Sequence, residues 1–81
     1  MNLNEITKTI NEVLVKEFEI EESTIKGKEN FRETLDLDSL DYVDLVVFMD
    51  ENLNVKITAE DFQTVVTFDD FYNLISNKIN E

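Results

Sequence analysis

Residues 37–53 read Leu37-Asp38-Ser39-Leu40-Asp41-Tyr42-Val43-Asp44-Leu45-Val46-Val47-Phe48-Met49-Asp50-Glu51-Asn52-Leu53. A turn of about 100° per residue sets Tyr42, Leu45, Val46, Met49 and Leu53 on one side of a helix. That stripe is enough to pack the helix into a bundle. Leu40, Val43 and Val47 fall on roughly the opposite side, interleaved with Asp44 and Glu51 and flanked by Asp41 and Asp50. Phe48 fits neither stripe cleanly. A helix in a small domain needs one buried face, and this one has a second apolar strip. Isolated apolar residues are ordinary on protein surfaces. A strip ringed by carboxylates has, in addition, the makeup of a docking face that steers a basic partner. Asp38 is placed to be the N-cap, with Asp41 at the third helical position, and Ser39 then stands in the first turn. A phosphate ester on that hydroxyl would lie near unpaired backbone N–H groups and the positive end of the helix dipole, with Asp38 and Asp41 opposing it.

Outward from this segment the chain continues to read as helix. Leu3, Ile6, Ile10, Val13, Leu14 and Phe18 follow 3-4-3 spacing, which predicts an amphipathic helix over 3–18 opened by Asn2 and Glu5. From Glu19 to Asp38 periodicity is lost, and Ile20, Ile25, Phe31, Leu35 and Leu37 recur among polar residues. This predicts a long loop pinned to the core by isolated apolar anchors; connections of that length are uncommon and often functional. Thr58 with Asp61 and Thr67 with Asp70 are capping-box signals for a short helix near Ala59–Gln63 and a last one near Phe68–Asn77. In the last helix Phe68, Phe71, Tyr72 and Ile75 form the buried stripe, and Ile79 continues it just beyond. The expected fold is all-α: a small four-helix bundle, three longer helices and one short, with a long loop between helices one and two. Residues 1–81 are read as a single domain.

Composition narrows the function. The 81 residues are 42% hydrophobic, enough for one compact core and too many for a disordered tail. Seven basic residues face 19 acidic ones, a net charge of −12. That balance opposes nucleic acid, whose binding depends on Lys and Arg displacing counterions, and disfavours anionic membranes. Cys and His are both missing, so no disulfide, thiolate nucleophile, zinc cluster or imidazole base is available. No catalytic residue and no metal-ligand set is expected, and the chain reads as a protein that is not an enzyme. No apolar run approaches the ~20 residues of a membrane span, and the start has no secretory pattern. The expectation is a cytoplasmic monomer without membrane insertion.

Phe31-Arg32-Glu33-Thr34-Leu35-Asp36-Leu37-Asp38-Ser39-Leu40-Asp41, followed by Val43-Asp44-Leu45-Val46, resembles the acyl carrier protein family. That family shares a Phe, an acidic-Leu step, then Asp-Ser-Leu opening an acidic helix, and the resemblance extends over nearly the whole chain. It implies that Ser39 is esterified with 4′-phosphopantetheine, donated by coenzyme A through a phosphopantetheinyl transferase. The prosthetic group would supply the thiol that the chain lacks and carry acyl cargo as a thioester to fatty acid biosynthesis enzymes. By position, Asp38, Leu40, Asp41, Val43, Asp44, Val47, Asp50 and Glu51 inherit the docking role toward basic surfaces of the transferase and acyl-processing enzymes. Two departures stand out. Asp36 occupies a position that is usually Gly, so either the loop bends differently or an Asp tolerates the required backbone angle. Lys56 falls in a stretch that is commonly acidic, which bears on which partners dock.

Other readings remain open from the residues. Polyketide, aminoacyl and peptidyl carriers share the serine-bearing helix. An acidic helical adaptor without prosthetic group would use the same face. A calcium loop starting at Asp36 would need Gly at its sixth position and Glu at its twelfth, where Asp41 and Val47 stand.

Overall fold

Every helix start is fixed by a short polar side chain. The structure, a computed structural model, describes residues 2–80. Helix α1 (Leu3–Phe18) begins where Asn2 Oδ1 accepts the Glu5 N–H at 2.9 Å. Helix α2 (Phe31–Leu35) begins at Asn30, whose Oδ1 accepts the Glu33 N–H at 2.8 Å. Helix α3 (Ser39–Leu53) begins at Asp38, and helix α4 (Phe68–Ile79) at Thr67, each with a complete capping box. Single 3-10 stretches occupy Glu22–Thr24 and Ala59–Thr64. Among the described residues no strand forms beyond one isolated antiparallel bridge, Asn30 with Thr67.

The all-α expectation and the bounds of the first and serine-bearing helices agree with this arrangement. The segment read as a long loop does not stay irregular. It holds the 3-10 turn and α2, although Phe31 and Leu35 are buried anchors as expected. Five residues are too few to show a periodic stripe, which is why α2 escapes a pattern-based reading. The short helix at 59–64 is 3-10 throughout, and α4 runs on to Ile79.

α1 packs chiefly on α4 and secondarily on α3. Ile6, Ile10 and Leu14 of α1, Leu45 and Met49 of α3, and Phe68, Phe71 and Ile75 of α4 are closed off from solvent. Leu3, expected in the first stripe, lies largely exposed at the end of its helix. Phe31 stacks on Phe71 at 4.6 Å and meets Phe68 edge-on at 5.2 Å between ring centres. Such pairs add about 0.5–1.5 kcal/mol each beyond burial. Phe48, which fits neither stripe, turns edge-on to Phe18 at 6.0 Å between ring centres, both rings partly buried against the core.

Main-chain bonds tie α2 to α4. The Phe31 N–H donates to Val66 O at 2.9 Å, and the Phe68 N–H donates to Glu29 O at 3.2 Å. Asp70 accepts the Thr67 and Val66 N–H groups, and these bonds hold its carboxyl below the usual carboxylate range. The result is a fixed start for α4 and, through the bridge, for α2. α2 in turn fixes the approach to Ser39.

Candidate functional site

Asp36 sets the direction of entry into α3. It caps α2 in the left-handed region, φ 52° and ψ 52°, and its N–H donates back to Glu33 O at 3.3 Å. The chain therefore makes the bend associated with Gly while keeping a side chain, a conformation that Asp tolerates better than most residues. Two residues later the Asp38 carboxylate accepts the N–H groups of Leu40 at 2.9 Å and Asp41 at 3.0 Å. The Asp41 carboxylate reaches back to the Asp38 N–H at 3.1 Å. This box starts the helix firmly. It also corrects the expectation of free amides beside Ser39, because Leu40 and Asp41 have already given theirs to Asp38. Asp38 is thus engaged as a cap, and among the described residues no three carboxylates converge where a metal ion could sit.

Ser39 is exposed in the first turn of α3. It opens onto a groove of about 580 Å³ between α3 and the 3-10 stretch, lined among others by Arg32, Tyr42, Val46, Ile57 and Phe62. Tyr42 and Val46 were expected in the buried stripe. They are half-buried, because the stripe passes from core at Leu45 and Met49 to groove wall at its edge. Tyr42 stands edge-on to Phe62 at 4.9 Å between ring centres, and its hydroxyl accepts a 2.6 Å bond from Arg32 Nε. The groove is thus apolar in its depth and carries one cation at its mouth.

The second apolar strip of α3 stays uncovered and begins at the groove itself, whose lining includes Val43 and Val47. Leu40, Val43 and Val47 are 73%, 60% and 45% exposed. Asp38, Asp44 and Glu51 are exposed beside them, while Asp41 and Asp50 are half-buried. Lys56 pairs with Asp50 at 3.2 Å, so the rim loses part of its negative charge at the corner near the end of the helix. The structure leaves the residues of this strip and most of its acidic rim exposed along α3. The sequence pattern does not show Arg32 and Tyr42 as a pair, since ten residues of spacing carry no periodic signal; the only flag is that Arg32 is the chain's single Arg.

An exposed hydroxyl at the mouth of an apolar groove suits a flexible tethered group, which needs an accessible attachment atom and a surface to lie on. The sequence matches the family described as "Phosphopantetheine attachment site" over residues 8–75. It is 29% identical over 80 residues to an acyl carrier protein of Petrotoga mobilis, covering 99% of this chain and 94% of that protein. It is 28% identical over 79 residues to an acyl carrier protein of Thermosynechococcus vestitus, covering 98% of each. To an acyl carrier protein of Campylobacter lari it is 32% identical over 68 residues, 84% of this chain and 88% of that one. With the helical bundle, the exposed serine and a match across most of its length, the chain belongs to the acyl carrier family, whose prosthetic group is covalently attached 4′-phosphopantetheine.

Proposed function

We propose that Ser39 is the attachment point of 4′-phosphopantetheine, and that the chain delivers acyl groups, carried as thioesters, to the enzymes of fatty acid biosynthesis. The prosthetic group supplies the thiol; the chain's own residues hold it, shield it and present it, and catalyse nothing themselves. The observation that carries this reading is the exposure of Ser39 between an apolar groove and an apolar, acid-rimmed helix face. Leu40, Val43 and Val47 would give contact area to a partner. Asp38, Asp41, Asp44, Asp50 and Glu51 would raise the rate of encounter with a basic surface. No helix among the described residues is long and apolar enough to cross a membrane; the working place proposed for this carrier is the cytoplasm, where it acts as a monomer.

The test is intact-mass spectrometry after incubation with coenzyme A and a broad-specificity phosphopantetheinyl transferase. The expected result is one added phosphopantetheine in the wild type and none in Ser39→Ala. A wild-type chain left unmodified under conditions that load a control carrier overturns the proposal. For the pathway, mass spectrometry of the protein from its native cell should show a fatty acyl thioester.

A further inference from the structure

A phosphodiester on Ser39 would add negative charge where the chain has least room for it. Asp38 and Asp41 flank the serine, and the net charge is −12. The capping box takes the N–H groups of Leu40 and Asp41, and the Tyr42 N–H goes to Asp38 O at 3.3 Å. The helix start has little left to offer an anion. Among the residues that line the groove with Ser39, the one cation is Arg32.

Arg32 has an unusual position for a cation in so acidic a chain. The ion pairs among the described residues are Lys56 with Asp50 and Lys78 with Asp61, and Arg32 belongs to neither. Its Nε is committed to the Tyr42 hydroxyl at 2.6 Å, which leaves the other four donors of the planar guanidinium unspent. Tyr42, one helical turn from Ser39, is itself braced by Phe62. Arg32, Tyr42 and Ser39 line the same groove. An arginine oriented by one bond, with its forked edge free, is suited to phosphate oxygens.

We propose that Arg32, oriented by Tyr42, is a positioning residue that pairs with the phosphodiester carried on Ser39 and turns the prosthetic arm along the groove toward Ile57 and Phe62. This rests on the reading of Ser39 as the attachment point. Tethering makes a weak exposed ion pair effective, because the anion never leaves the vicinity of its partner. An arginine that merely stabilised the fold would do so equally with and without the arm.

The experiment compares unloaded protein with protein loaded from coenzyme A, the thiol left free of cargo, in the wild type, Arg32→Gln, Arg32→Lys and Tyr42→Phe. Intact mass establishes loading, melting temperature reports the cost of the added anion, and the phosphorus NMR line width reports its mobility. At low ionic strength, loading should lower the melting temperature of Arg32→Gln by about 1–5 °C more than that of the wild type. The excess should vanish in high salt, and the phosphorus line should be narrower in the variant. Arg32→Lys should recover part of the difference, and Tyr42→Phe should show a smaller shift in the same sense as Arg32→Gln. An equal melting change on loading and an equal line width in the wild type and Arg32→Gln overturn the pairing. An unchanged Tyr42→Phe overturns the orienting role. If the wild type gains no mass, the assignment of Ser39 falls and this one with it.

Discussion

α3 and α4 open alike and are put to different uses. Each starts with a capping box closed by an Asp three residues on, and they run 15 and 12 residues. In α4 Phe68, Phe71, Tyr72 and Ile75 make one buried stripe, and the remaining apolar residues, Leu74 and Ile79, are half-buried beside it. In α3 only Leu45, Met49 and Leu53 reach that condition, while Leu40, Val43 and Val47 face solvent. Average hydrophobicity would rank α3 as the better core helix, yet α4 is the one the core is built on. The arrangement of apolar residues around the axis, more than their number, separates a helix that stabilises from one that contacts a partner.

The largest effect should come from cutting into α4. Phe71→Ala removes a ring stacked on Phe31 and Phe62 and should cost about 3–5 kcal/mol in urea unfolding, enough to unfold much of a domain this small. Val43→Ala on the open face of α3 should stay within about 0.5 kcal/mol while weakening transferase binding. Similar stability costs at the two sites would erase the contrast. Among rim charges, Asp44→Lys is the cleaner probe of steering, because Asp41 also closes the capping box. It should slow association in low salt and leave melting nearly unchanged.

An intermediate effect belongs to Tyr72. Burial pushes its phenol up to about 12, against the 2.6 Å bond it donates to Asn11 Oδ1. The unfolded phenol ionises near 10, so between about pH 10 and 12 the folded state binds the extra proton and stability falls as pH rises. The loss should reach about 2–3 kcal/mol. Unfolding followed across this range should show a shallower alkaline decline in Tyr72→Phe; identical declines would mean that α4 is open to solvent there. Smallest is Asp36→Gly at the approach to α3. Relief of left-handed strain, offset by the greater freedom of unfolded Gly, should raise stability by about 0.5 kcal/mol. A lower melting temperature would show that the Asp side chain, and not only the backbone angle, supports the bend.

Much of this contrast is legible in the sequence. The second stripe on α3 stands out because helical spacing separates it from the first, and four starts are marked by polar residues at Asn2, Asp38, Thr58 and Thr67. α2 is not legible in the pattern, although Asn30 with Glu33 repeats the signal that Asn2 and Glu5 give at α1, because no periodic run follows it. The amides near Ser39 were read as free because a sequence places a capping residue without showing which donors it takes. The groove was invisible for a related reason. Arg32, Tyr42 and Phe62 are distant in the chain, and only the tertiary path through Asp36 and Thr58 brings them to one opening.

The walls of that opening are held by different kinds of contact. On the Arg32 side the backbone is stitched to the start of α4 through Phe31 with Val66 and Phe68 with Glu29. Opposite, the wall is a six-residue 3-10 stretch, a poorly bonded form of helix, anchored by Phe62 against Tyr42 and Phe71 and tied by Asp61 to Thr58 and, at 3.4 Å, to Lys78. A guest wider than the slot would meet main-chain bonds between elements on one side and side-chain contacts on the other. Wedging that side outward would strain the Lys78–Asp61 contact.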